Sequence, residues 1–151
     1  MYVIDTDVLS QSSPTRRPEG AEVAAWMKRN GDCCYLSAVT IIETSYGVAW
    51  LRHRRALRKA ATLQVWLDEV LAFHRDRIIA IDANIATRAG QLLARARSEG
   101  VEVGTEDAIV AATGELGQMT VLTNNDRHFA PMGIRYVNPS KRLPPDVRPR
   151  P

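Results

Sequence analysis

Short β-branched runs alternate with longer amphipathic stretches along this chain, and that alternation leaves few folds open. Met1-Tyr2-Val3-Ile4 stops abruptly at Asp5-Thr6-Asp7, and Met119-Thr120-Val121-Leu122 stops at Thr123-Asn124-Asn125-Asp126. Cys34-Tyr35-Leu36 and Ile78-Ile79-Ala80-Ile81-Asp82 follow the same logic, and a short last strand is predicted at 134–137. Brief runs that are apolar throughout suit strands buried on both faces of a parallel sheet. Between them the apolar positions recur at helical spacing. Val23, Trp26 and Met27 lead to a stop near Asn30-Gly31, and Ser37 opens a helix through Val39, Ile42, Tyr46 and Trp50. Leu57, Ala60, Leu63, Leu67, Val70 and Leu71 mark a long helix, and Ile85, Ala89, Leu92, Leu93 and Ala96 mark another that ends at Gly100. Thr105 is expected to N-cap a helix through Ile109, Ala112 and Leu116. The pattern is βαβα, and the fold class it predicts is α/β with a central, mainly parallel sheet.

In such a sheet, functional groups gather outside the carboxyl ends of the strands. Asp5, Glu43, Asp107 and the Asn125-Asp126 pair all stand where an apolar run stops or a helix begins, although long stretches separate them. Each also has a purely structural reading: a turn-forming aspartate, a helix-surface glutamate, a first-turn partner of the helix dipole, an Asx turn. Their joint position favours a shared site. Carboxylates brought to about 4 Å repel by roughly 4 kcal/mol per pair at an effective dielectric near 20, so such a cluster calls for a counter-charge. Oxygen donors without Cys or His select Mg²⁺ or Mn²⁺ over Zn²⁺. Thr6 and Thr123 stand beside these acids and are candidates either to orient them by hydrogen bonding or, equally, to satisfy local backbone groups.

At 151 residues, 45% hydrophobic and 25% charged, the chain suits one globular domain with a real core. No apolar stretch reaches membrane-span length and no signal peptide is visible, so a cytoplasmic protein without membrane contact is expected. The adjacent Cys33 and Cys34 read as small apolar residues entering a strand. His53, His74 and His128 are scattered and read as structural, and no Gly-rich phosphate loop is present. The net charge of +3 conceals a basic run of Arg52, His53, Arg54, Arg55, Arg58 and Lys59, read first as a solvated helix face. Set beside an acidic centre, it suits a polyanionic substrate. From Asn138 onward Pro and Arg abound and periodicity vanishes, so residues 140–151 are expected to form a loosely ordered tail behind a 1–139 domain.

Ile4-Asp5-Thr6-Asp7-Val8-Leu9-Ser10, Leu36-Ser37-Ala38-Val39-Thr40-Ile41-Ile42-Glu43, Glu106-Asp107-Ala108-Ile109-Val110-Ala111-Ala112 and Leu122-Thr123-Asn124-Asn125, in that order, resemble the motifs of PIN-domain ribonucleases. The likeness is to the VapC-type and FitB-like toxins of type II toxin-antitoxin systems, and it runs from residue 1 to about Pro139. It implies a three-layer α/β/α fold, a homodimer, Mg²⁺- or Mn²⁺-dependent cleavage of RNA, and a small cognate antitoxin of the VapB or FitA kind that blocks the site. Operator DNA would be met only through the antitoxin. By motif position Asp5 and Asp107 match the principal metal ligands and Glu43 the third acid. The fourth position falls on Asn125 or on Asp126, and a neutral Asn there would weaken a second metal. RNA backbone contacts would come from the basic helix or from Arg16 and Arg17.

Two other classes compete. Asp5-Thr6-Asp7 after an apolar strand also suits a haloacid dehalogenase-like phosphatase with a nucleophilic aspartate, but Leu9 stands where that motif wants Thr or Val and no catalytic Lys is evident. The other is a weakly active binding module that serves chiefly as an antitoxin's partner, a reading kept open by Asn125 in place of an acid.

Overall fold

The computed structural model describes residues 1–15 and 18–147. Its centre is a sheet of β1 (Tyr2–Ile4), β2 (Cys34–Ser37), β3 (Ile78–Ile79), β4 (Thr120–Leu122) and β5 (Tyr136–Val137), ordered β3-β2-β1-β4-β5 with every pairing parallel. The chain steps outward from β1 through β2 to β3, crosses back to lay β4 against the free side of β1, and leaves through β5. The order therefore reverses between β1 and β4, which is the topological switch point where open α/β sheets bind ligands.

Side-chain alternation builds the layers. Val3, Val121 and the ring of Tyr35 face one way, where they pack with α5 (Ala83–Ser98), α6 (Thr105–Leu116) and α7 (Asp126–Met132). Ile4, Cys34, Leu36 and Leu122 face the other way, against α1 (Thr6–Leu9), α2 (Ala21–Asn30) and α4 (Leu57–His74). Because successive strand residues point to opposite faces, the register that sets Val3 beside both Tyr35 and Val121 also sets Ile4 beside both Leu36 and Leu122. Each strand must then be apolar on both faces, as the sequence is. The α/β expectation holds, with three layers.

Several boundaries differ from the sequence reading. The third strand stops at Ile79 because Asp82 N-caps α5, its Oδ1 accepting from the Ile85 N–H at 2.8 Å. The last strand keeps only Tyr136 and Val137, which pair with Val121 and Leu122 of a three-residue partner. Gly104, not Thr105, is the N-cap of α6, and Thr105 is its first residue. The two short helices α1 and α7 were not expected from periodicity; at four and seven residues they are too short to show any. The basic run is not one helix face: Arg52 and His53 end α3 (Ala38–His53), Arg54 and Arg55 form the turn, and Arg58 and Lys59 begin α4. Arg55 makes that reversal with φ of 60°.

Residues 140–147 of the segment expected to be loosely ordered carry no helix or strand but touch the domain. Leu143 packs against the α2–α4 core, and the buried Asn30 amide donates to Asp146 at 2.8 Å while accepting from the Val147 N–H at 2.7 Å. A buried amide needs partners, and the tail supplies them. Residues 148–151 lie outside the described residues, as do Arg16 and Arg17. No described helix is long and apolar enough to cross a membrane, and both cysteines are free, Cys34 being buried in β2.

Candidate functional site

The end of β1 places Asp5 at the switch point. Its N–H donates to Leu122 O at 2.9 Å, which carries the β1–β4 pairing one step further, and its side chain then turns to cap α1. Oδ1 accepts from the Thr6 N–H and Oδ2 from the Thr123 hydroxyl, both at 2.7 Å. Only 4% of the residue is exposed. Burial, and after it the neighbouring charge of Asp7, push its carboxyl up to about 7, with Asp107 adding to the rise and the Thr123 and Thr6 hydrogen bonds opposing it. Among the described residues this buried acid has like charges for neighbours and no ion pair to a lysine or arginine to offset them.

The other acids arrive from separate elements. Glu43 sits in the second turn of α3, and its Oε2 accepts from the Thr6 hydroxyl. Burial raises its pKa first, then the charges of Asp107, Glu106 and Asp7, against the Thr6 hydrogen bond. Asp107 lies in the first turn of α6, where the helix dipole favours a carboxylate. Thr6 and Thr123 thus do orient acids, as their positions in the sequence suggested. Among the described residues, however, no three His, Cys, Asp or Glu side chains are gathered closely enough to hold an ion as they stand. Thr6 engages Glu43, and His128 engages Asp107.

His128, expected from the sequence to be structural, lies instead against the acids. It stands one turn into α7, with Nδ1 at 2.5 Å from Asp107 Oδ2 and 2.8 Å from the Asn125 amide nitrogen. Its spacing from Asn125, three residues, was the available signal, and it meant nothing until α7 was known to be a helix.

The two candidates for the fourth position part company. Asn125 turns inward, its amide 3.4 Å from Asp107 Oδ2, while its N–H donates to Thr123 Oγ1 at 3.0 Å. Asp126 turns to the tail: Lys141 Nζ lies 2.6 Å from its Oδ2 and the Asn138 amide donates to the same oxygen at 3.0 Å. The Lys141 hydrogen bond holds the Asp126 carboxyl below the usual carboxylate range. Asp7 closes the rim, accepting from the Asn124 N–H at 3.0 Å. A cavity of about 250 Å³ has Thr6, Glu43 and Lys59 in its lining, which brings one member of the basic run near the site.

The donor set fits a hard divalent cation by chemistry. It is carboxylate and amide oxygen, Asp7 and Asp107 raise the pKa of both Asp5 and Glu43, and among the described residues no lysine or arginine forms an ion pair with Asp5. An ion would compete with Thr6 for Glu43 and with His128 for Asp107.

Residues 2–133 match the PIN domain family model. Toxin FitB of Neisseria gonorrhoeae is 30% identical over 141 residues, covering 92% of this chain and 98% of FitB. VapC ribonuclease Y4jK of Sinorhizobium fredii is also 30% identical, covering 92% of this chain and 97% of that protein. Among solved structures, FitAcB from Neisseria gonorrhoeae superposes with a TM-score of 0.75 at 28% identity, over 92% of this chain and 98% of that one. FitAB bound to an IR36 DNA fragment gives 0.73 at 27%, over 93% and 96%. A family match across most of the length, relatives of nearly equal length and a shared fold agree: the chain belongs to the PIN-domain family.

Proposed function

We propose that this protein is a divalent-metal-dependent endoribonuclease, the toxin of a toxin-antitoxin pair, and that a small partner protein holds its activity in check. The observation that carries the reading is Asp5, a buried carboxylate at the switch point raised to about 7, with Asp7 and Asp107 for neighbours and no ion pair to a lysine or arginine among the described residues. The relatives named a toxin and a ribonuclease support the class.

Asp5 and Asp107 would hold Mg²⁺ or Mn²⁺, with Glu43 as the third acid and Asn125 as a neutral oxygen donor. Once bound, the ion would neutralise a phosphate oxygen and acidify water. Glu43, its pKa raised, is suited to take a proton from the attacking water. Thr123 keeps the Asp5 carboxylate aimed, and Thr6 links Asp5 to Glu43 through its backbone N–H and its hydroxyl. Lys59 and the arginines of the α3–α4 turn would hold the RNA backbone without reading bases. Asp126, committed to Lys141, would anchor the tail and leave the fourth position to Asn125. A homodimer would cover the exposed Ile42, Tyr46 and Trp50 of α3. The FitAB complex with DNA supports operator contact through the antitoxin.

Cleavage of a mixed small-RNA pool by antitoxin-free protein, with Mg²⁺ or Mn²⁺ against chelator, tests the proposal. Discrete products that need metal and vanish in Asp5→Asn and Asp107→Asn are expected. The occupation of Glu43 by Thr6 and of Asp107 by His128 favours a second reading, a weakly active binding module. Calorimetric titration with Mn²⁺ separates them, because a binding module shows no divalent site that Asp5→Asn removes.

A further inference from the structure

Asn138, the first residue after β5, makes contacts that the proposed catalysis does not use. Val137 pairs with Leu122 in the parallel register, and the Thr123 N–H carries that pairing on by donating to Val137 O at 3.1 Å. The residue that follows β5 therefore stands beside the loop that leaves β4, and its side chain reaches both ends of that loop. Asn138 Nδ2 donates to Asn124 O at 3.1 Å and to Asp126 Oδ2 at 3.0 Å. Its Oδ1 accepts from the Ser140 N–H at 3.1 Å and the Lys141 N–H at 3.3 Å. Both N–H donors of the amide and both lone pairs of its oxygen are thus in use, and the partners fix which way it faces.

Between the two points it grips lies Asn125. Ahead of it, Asn124 is held at its N–H by Asp7 at 3.0 Å, at its carbonyl by Asn138, and at its side-chain oxygen by the Ser140 hydroxyl at 2.7 Å. Behind it, Asp126 is held by Asn138 and Lys141 and begins α7, the helix that carries His128. The Asn125 amide nitrogen lies 2.8 Å from His128 Nδ1 and 3.4 Å from Asp107 Oδ2. The second distance is beyond the usual hydrogen-bond range, so the approach to Asp107 is set by where the flanking backbone is held and not by the strength of that contact.

We infer that Asn138 is a positioning residue for the fourth place of the acidic site: by gripping Asn124 and Asp126 with one amide, it turns Asn125 toward Asp107. Ser140 contributes through Asn124. The consequence for metal binding rests on the nuclease reading, whereas the placement of Asn125 is a property of the metal-free chain.

The test uses the purified full chain and Asn138→Ser, checked for folding by circular dichroism. Serine keeps an acceptor for the turn toward Ser140 and Lys141 but has a single donor, which cannot serve Asn124 and Asp126 together. Without metal, the Asn125 side-chain amide resonances are expected to move in this variant toward their unfolded position. By calorimetry, Mn²⁺ should bind about ten-fold more weakly, the low end for a residue that orients a ligand. Ser140→Ala, which takes the hydroxyl from Asn124 at an exposed position, should shift Mn²⁺ affinity in the same direction by about two-fold. Adding Asn138→Ser to Asn125→Ala should cost no further Mn²⁺ affinity, because a residue that acts through Asn125 then has nothing to position. Unmoved Asn125 resonances, wild-type Mn²⁺ affinity in Asn138→Ser, or an undiminished loss on the Asn125→Ala background overturns the inference. If the wild type neither binds Mn²⁺ nor cleaves RNA while the Asn125 resonances still move, the nuclease reading falls and the positioning stands.

Discussion

Asp5 and Asp126 are two aspartates in nearly the same local setting, each beginning a short helix just after a strand of the same sheet, and the fold treats them in opposite ways. Asp126 meets Lys141 at 2.6 Å and its pKa falls; among the described residues Asp5 meets hydroxyl and amide donors alone, is almost wholly buried, and rises to about 7. A carboxylate that finds its cation within the chain is a structural anchor. One that finds none, in a place where others like it converge, is an unfinished electrostatic arrangement that a ligand can complete. Burial makes the difference large, since desolvation penalises the charged form of Asp5 and hardly touches Asp126.

Replacing Asp5 should break the comparison most strongly. Asp5→Asn is expected to lower RNA cleavage by at least about a hundred-fold, the scale of losing an electrostatic centre of catalysis, and at the same time to raise the melting temperature of the metal-free protein above pH 7. The removed penalty is bounded by linkage at about 4 kcal/mol, or several degrees for a chain of this size. Asp126→Asn should do neither; a comparable loss of cleavage in that variant would transfer the fourth position from Asn125 to Asp126.

The same contrast predicts a pH dependence. Because the folded pKa of Asp5 is raised from 3.8 to about 7, the folded state holds its proton more tightly than the unfolded chain does. The stability this group contributes is complete below about pH 4, is lost as pH rises toward 7, and stays lost above it. A divalent cation should restore it, so the rise in melting temperature produced by Mn²⁺ should grow between pH 5 and about pH 7 in the wild type and be absent in Asp5→Asn. A Mn²⁺ shift that is flat across this range would count against Asp5 as a ligand.

Smaller changes sharpen the picture. Thr123→Val removes a hydrogen bond that lowers the Asp5 pKa, so activity is expected to fall by about ten-fold, with the acidic limb of the pH–rate profile displaced upward. His128→Ala frees Asp107 and should reduce the Mn²⁺ concentration needed for half-maximal activity by a few-fold, roughly the scale of one side-chain contact. Lys141→Met, which breaks an exposed pair, should move the melting temperature by less than about 2 °C.

Much of this was legible in the chain. Residues such as Val3-Ile4 and Val121-Leu122 could only be strands covered on both faces, and the acids that follow them could only lie at one edge of a parallel sheet. His128 was not legible, because its approach to Asp107 depends on a seven-residue helix with too few turns to declare itself. Nor was the held tail, because Asn30 reads as a helix terminator until Asp146 and Val147 are seen at its amide.

The sequence by itself determined the layers and the parallel sheet, since side-chain periodicity and the ends of apolar runs are local properties of the chain. Only the tertiary structure decided how deeply Asp5 is buried, that Asn125 turns inward while Asp126 turns to Lys141, and that His128 meets Asp107. Those outcomes depend on distance and desolvation among residues far apart in sequence, and neither quantity is written in the order of the residues.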